Sequence, residues 1–283
     1  MQERFLVTKD NLKLYYRIRR SKTRSIILFL PGLGANWTQW KDVLDFFNDK
    51  GFSTLTLDYR GHGLSDKPYR KERYAIASFV RDIKDLLKEE NVESVVLVGH
   101  SFGGVLSLIY ALGDDTVDIK SLVLIDTPCE FPFKHHDLYS LGTSLTTLVR
   151  MLARAEDILG RIRPVARSKS EVDYSKLGNR SNFWKYLHGI TTTPAVGIIS
   201  CLDNFERADF TKVKEKAKSI KQPVLILEGA KDMLIPIKQE RNLKKILKNS
   251  VLKLMDGDHF VPLQRPEEVS EEIYSFLRKH RIR

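Results

Sequence analysis

Cysteine is nearly missing from this chain: Cys129 and Cys201 are the only two among 283 residues. They form no CxxC pair and no metal-ligand spacing, which excludes a disulfide scaffold and a thiolate metal centre. With no export signal in view, both are expected as reduced thiols. No apolar run reaches the ~18 residues that a membrane-spanning helix requires. The opening MQERFLVTKD is charged and lacks the apolar centre of a signal peptide, and no lipidation pattern is present. The expected location is therefore cytoplasmic. The sequence shows no internal repeat and no low-complexity tract.

Acidic residues are outnumbered, 36 Asp and Glu against 47 Lys and Arg, for a formal charge of +11. Such a surface attracts anions in general. The bases are dispersed among acids, as in DIKDLLKEE and DFTKVKEKAKSIK, and no basic run is interleaved with aromatics. A nucleic-acid partner is not expected. An acidic carrier protein is kept as the less favoured partner, drawn to RIRPVARSK and its Arg161, Arg163 and Arg167.

What is present is the composition of an ordinary globular protein, 42% hydrophobic and 29% charged. The length suits one α/β domain with an insertion, or two smaller domains. Short apolar runs alternate with helical patterns. RFLVT, LKLYYRI, SIILFL, FSTLTL, SVVLVG, SLVLID, PVLILEG and VLKLM read as eight strands. WKDVLDFFNDKG, IASFVRDIKDLLKEE, FGGVLSLIYAL and PEEVSEEIYSFLRK read as helices, the last with Pro and acids in its first turn and bases in its last. This alternation predicts a mostly parallel, doubly wound eight-stranded sheet covered on both faces. The rhythm breaks between Pro128 and about Arg207, where LTTLVRMLARAEDILGRI and SNFWKYLHGI are helical in tone. The expected organisation is a core of residues 1–127 and 208–283, with 128–207 inserted after the sixth strand as a helical cap.

Three glycines crowd around one serine in SVVLVGHSFGGVLSLIY. A strand must turn sharply into a helix there, and side chains at 99, 103 and 104 would strike neighbouring elements. Such a turn lifts the Ser101 hydroxyl above the carboxyl end of its strand, where open α/β sheets place their ligands. The helix that follows points its N-terminus, with unpaired N–H groups, at the same place.

With Gly-His-Ser-Phe-Gly-Gly between a buried strand and an apolar helix, the chain resembles the α/β-hydrolase family over nearly its whole length. FLPGLGANW is similar to the family's oxyanion loop, with Pro31-Gly32 where His-Gly is frequent. LDYRGHGLSD is similar to its Asp-x-Arg-Gly-x-Gly-x-Ser turn, in which His62 is read as structural. The resemblance implies Ser101 as nucleophile, His259 as base, and backbone N–H groups of Leu33 and Phe102 as oxyanion donors. For the acid it implies Asp232, in the loop after PVLILEG, with Asp126 as rival because some members carry their acid after the earlier strand. His100 is read as packing beside Ser101, and Asp258 as a turn carboxylate. His135, His136, His188 and His280 are read as exposed polar residues. No metal and no cofactor are implied.

The implied reaction is acyl transfer to Ser101 and on to water. A serine nucleophile disfavours the family's epoxide hydrolases and haloalkane dehalogenases, which use aspartate. Trp37, Phe131, Phe133, Leu234 and Phe260 are the expected apolar walls of the substrate pocket, which favours small to medium acyl or aromatic esters. Acyl transfer, thioester or carbon–carbon bond hydrolysis and cofactor-free perhydrolysis stay open on the same residues. So does a ligand receptor on a hydrolase scaffold.

Overall fold

The computed structural model describes residues 1–113, 116–130, 143–163, 165–166, 172–173 and 192–283. Eight strands form one sheet: β1 (Gln2–Val7), β2 (Lys13–Arg19), β3 (Ile26–Leu30), β4 (Ser53–Leu57), β5 (Ser94–His100), β6 (Asp118–Ile125), β7 (Val224–Gly229) and β8 (Ser250–Met255). Their spatial order is β1-β2-β4-β3-β5-β6-β7-β8. The pairs β1–β2 and β2–β4 are antiparallel, and all the others are parallel. Every residue of β3, β4, β5 and β7 is buried, as their near-continuous apolar runs require of strands covered on both faces.

Helices α1 (Lys41–Asp49) and α8 (Pro266–Lys279) cover one face. Val43, Leu44 and Phe47 meet Val269, Ile273 and Phe276 there, over Phe29, Val96 and Val98. Helices α2 (Ile76–Glu89) and α3 (Phe102–Ala111) cover the other, through Phe79, Ile83, Leu86, Val105 and Leu106. Each such side chain contributes roughly 1.5–3 kcal/mol when fully buried. Cys129 and Cys201 are buried and form no disulfide.

Between β6 and β7 lie helix α4 (Thr143–Leu159) and helix α5 (Ala195–Arg207), which pack against each other. Val196, Cys201 and Phe205 of α5 join the apolar cluster that contains Phe102. Val165–Ala166 also pairs with Lys67–Pro68 in a two-residue antiparallel bridge, a feature without a periodic signal in the sequence. Helices α6 (Phe210–Ala217) and α7 (Ile237–Ile246) flank β7 in sequence, before and after it. SNFWKYLHGI, His135, His136 and His188 lie outside the described residues.

Candidate active site

Strand β5 lies between β3 and β6, and its carboxyl end lies at the middle of the sheet. The turn out of it forces Ser101 to φ 51° and ψ −113°, a region that side-chain-bearing residues rarely enter. The Ser101 N–H is held by the Ile125 carbonyl at 2.8 Å. The surrounding glycines permit the close approach. A Cβ at Gly99 would overlap the Gly103 backbone, one at Gly103 the Leu30 carbonyl, and one at Gly104 the Thr127 side chain.

His259 follows β8, and Asp232 follows β7. His259 Nδ1 lies 2.7 Å from Asp232 Oδ2, and its Nε2 lies 3.0 Å from Ser101 Oγ. A carboxylate can only accept, so Nδ1 carries the ring proton and Nε2 accepts from the serine hydroxyl. The other oxygen of Asp232 accepts from the Leu234 and Ile235 N–H groups at 2.7 and 2.9 Å, which fixes the carboxylate in its turn. Both side chains are buried.

The loop expected to hold an oxyanion, Pro31-Gly32-Leu33, follows β3. Among the described residues, neither the Leu33 N–H nor the Phe102 N–H has a hydrogen-bond partner. Flanking donors are engaged: Gly32 N–H with Gln39 Oε1 at 3.0 Å, and Gly34 N–H with His62 Nε2 at 2.9 Å. His62 Nδ1 donates to the Arg60 carbonyl at 3.0 Å, and burial lowers this imidazole to about 4, so it braces the loop as a neutral ring. The Phe102 ring turns away, edge-on to Tyr59 and Phe79 in the core.

A serine, a histidine and a carboxylate joined in series, beside two unengaged N–H groups, is a nucleophile-activating arrangement. The model of the alpha/beta hydrolase fold family matches residues 25–266. The chain belongs to that family. Among curated relatives, Epoxide hydrolase 3 of Xenopus tropicalis is 25% identical, over 98% of this chain and 78% of that one. Non-heme chloroperoxidase CPO-A1 of Kitasatospora aureofaciens is 27% identical, over 96% of this chain and 98% of that one. Among solved structures, the esterase EaEST from Exiguobacterium antarcticum superposes with a TM-score of 0.76 at 20% identity, covering 97% and 98% of the two chains.

In this α/β hydrolase the residue beside the serine is more than packing. Gln39 gives its oxygen to Gly32, so its amide nitrogen faces His100 Nδ1 at 2.7 Å and donates to it. His100 Nε2 must then carry the proton, which it donates to the His259 carbonyl at 2.7 Å. Burial, then the nearness of His259, lowers His100 to about 3, so it stays neutral. Gln39 carries no sequence signal. Its role exists only because the turn after β3 folds back over the end of β5.

Asp126 directly follows β6, has φ 46° and is buried. Its Oδ1 accepts from Gly229 N–H at 2.8 Å, while Oδ2 has no hydrogen-bond partner and lies 3.9 Å from His100 Nε2. Burial, then the nearby Asp232, pushes its carboxyl well above the usual range. Asp232, not Asp126, makes the hydrogen bond to His259 Nδ1. His100, Asp126 and His259 lie close enough to share a cation, but the ring nitrogens of both histidines are already committed to other partners.

Of the expected substrate walls, Phe260 packs edge-on to the His259 ring at 5.6 Å. Leu234 is partly buried beside Asp232. Trp37 is part of the apolar core beneath α1, with the Arg17 guanidinium 3.9 Å over its ring. Phe131, Phe133 and Arg167 lie outside the described residues. Arg161 and Arg163 are exposed. No helix among the described residues is long and apolar enough to cross a membrane.

Proposed function

We propose that this α/β hydrolase cleaves carboxylic esters of small to medium apolar acyl or aromatic groups through an acyl-serine intermediate. The observation that carries the reading is one imidazole bridging the Ser101 hydroxyl and the Asp232 carboxylate. In this reading Ser101 Oγ attacks the ester carbonyl while His259 Nε2 takes its proton. The carbonyl electron pair moves to oxygen, where the Leu33 and Phe102 N–H groups hold it, a contribution of several kcal/mol per donor in comparable sites. The tetrahedral centre collapses, the alkoxide leaves with the proton from His259, and an acyl ester remains on Ser101. Water then attacks with His259 as base, which releases the acid and restores the hydroxyl. Asp232 holds the imidazole in the tautomer that leaves Nε2 free and stabilises the imidazolium. Residues 128–207, as a cap, would close the pocket over Ser101.

Ester cleavage is favoured over epoxide opening by the nucleophile itself. A carboxylate that opens an epoxide forms an ester, which water can hydrolyse. Ser101 would form an ether, which the same His259 and water could not cleave. The test is a series of p-nitrophenyl esters of increasing acyl length, assayed on wild type and Ser101→Ala. Turnover by the wild type that peaks at short to medium chains and disappears in Ser101→Ala supports the reading. Equal turnover by the two proteins, or none by either, removes it.

A further inference from the structure

A groove of about 440 Å³ runs between α4 and α5, and neither Ser101, Asp232 nor His259 lines it. Four cations do, Lys71, Arg150, Arg154 and Arg207, against two carboxylates, Asp157 and Asp203. Both carboxylates are engaged. Asp203 Oδ1 accepts from Arg150 Nη1 at 2.9 Å, and Asp157 Oδ1 accepts from the Lys71 backbone N–H at 3.0 Å with Arg70 Nε 3.8 Å away. The Lys71, Arg154 and Arg207 side chains then have no carboxylate within ion-pair distance among the described residues. Helix spacing alone would have paired Asp203 with Arg207, four residues on, but Asp203 turns across the groove to α4. Arg150 and Arg154, also four apart, repel each other on one helix face.

We propose that this groove binds an organic diphosphate, a small molecule joining a diphosphate group to a less polar portion. The three cations without carboxylate partners come from three separate elements: α4, α5 and the one-turn helix Lys71–Tyr74. A compact multivalent anion satisfies them together where a single carboxylate could not. Guanidinium groups present paired donors that fit phosphate oxygens. The groove is larger than a bare phosphate needs and lies within the ~300–1,000 Å³ range of small-molecule sites. Ala153, Val196 and Ile199 give it an apolar wall for the uncharged part of the ligand.

The test is calorimetric titration of the full chain with ADP, pyrophosphate, citrate and a poly-glutamate peptide. It is repeated on Arg154→Glu/Arg207→Glu and on Lys248→Glu/Lys279→Glu, a pair of exposed sites with the same change in net charge. Expected is one ADP per chain, bound more tightly than pyrophosphate, citrate or the peptide. The groove variant should weaken ADP by at least about tenfold, while the control variant binds as the wild type does. No ADP binding, or equal weakening in both variants, overturns the proposal. Pyrophosphate as tight as ADP removes the organic portion, and citrate or the peptide as tight as ADP removes the diphosphate. The titration needs no turnover, so its outcome is independent of the ester assay.

Discussion

His100 donates its Nε2–H to the backbone carbonyl of His259 at 2.7 Å while Gln39 fills its Nδ1. One neutral imidazole thus ties the loop of the proposed base to the loop of the proposed oxyanion donors. Gln39→Leu removes the acceptor for Gly32 N–H and the donor to His100 together. Each buried group left without a partner costs ~1–3 kcal/mol. The expected result in steady-state ester kinetics is a kcat lower by roughly 10–100-fold with little change in KM, because alignment is lost and the substrate walls are untouched. An unchanged kcat would show that the network is only structural.

Ser101 should react once with an organophosphonate probe. Its hydroxyl is hydrogen-bonded to a base, and its backbone strain holds it clear of the sheet. Intact-protein mass spectrometry should find a single adduct mapped to Ser101. Labelling that persists in Ser101→Ala would exclude this residue as the nucleophile.

Asp232→Asn should cost far more activity than Asp126→Asn, since only Asp232 meets His259 Nδ1. An amide there favours the wrong tautomer, and the loss reaches ~10⁴-fold in the worked serine-protease case. Asp126→Asn keeps an acceptor for Gly229 N–H and should fold normally. If Asp126→Asn proves the weaker enzyme while still folded, the acid belongs after β6.

Glu228 gives the chain a stability that depends on pH. Its side chain is 1% exposed on β7, and one carboxyl oxygen has no partner. Burial, then the charge of Asp232, pushes it from 4.5 up to about 8. Between those values the unfolded chain has lost a proton that the folded chain keeps, so rising pH favours unfolding. Below 4.5 the penalty is absent, and above about 8 it is complete, on the order of several kcal/mol. Glu228→Gln should therefore raise Tm at pH 9 and change it much less at pH 5, as read by differential scanning fluorimetry. An equal shift at both values would rule out the ionisation as the cause.

The central strands β3, β5 and β7 were legible because strands buried on both faces leave near-continuous apolar runs, and the more exposed β1, β2 and β8 from short β-branched and aromatic stretches. The helices α1, α2, α3 and α8 were legible from their 3.6-residue period. Helices α5, α6 and α7 were less so, since α6 and α7 are dominated by charge and α5 buries one face against the distant Phe102 cluster. The elbow was written locally: three glycines and a serine between a strand and a helix admit few other folds. Ser101, Asp232 and His259 could be nominated from the sequence through the resemblance to the family, each following a strand at the same edge of the sheet.

What the sequence determined by itself was therefore periodicity, the strained turn and the order of the strand-end residues, all properties of short segments. Only the tertiary structure decided which carboxylate meets His259, since Asp126 and Asp232 both end at that edge and differ by the direction in which their turns aim them. It alone gave Gln39 and His62 their places behind the proposed oxyanion loop, and it packed Trp37 into the apolar cluster beneath α1. It also brought Lys71, Arg154 and Arg207 to one groove from positions far apart in the chain. These are contacts between segments, and no local pattern encodes them. They follow from the sheet order, which pairings between distant segments set, and from the partners that most buried polar groups find across those segments.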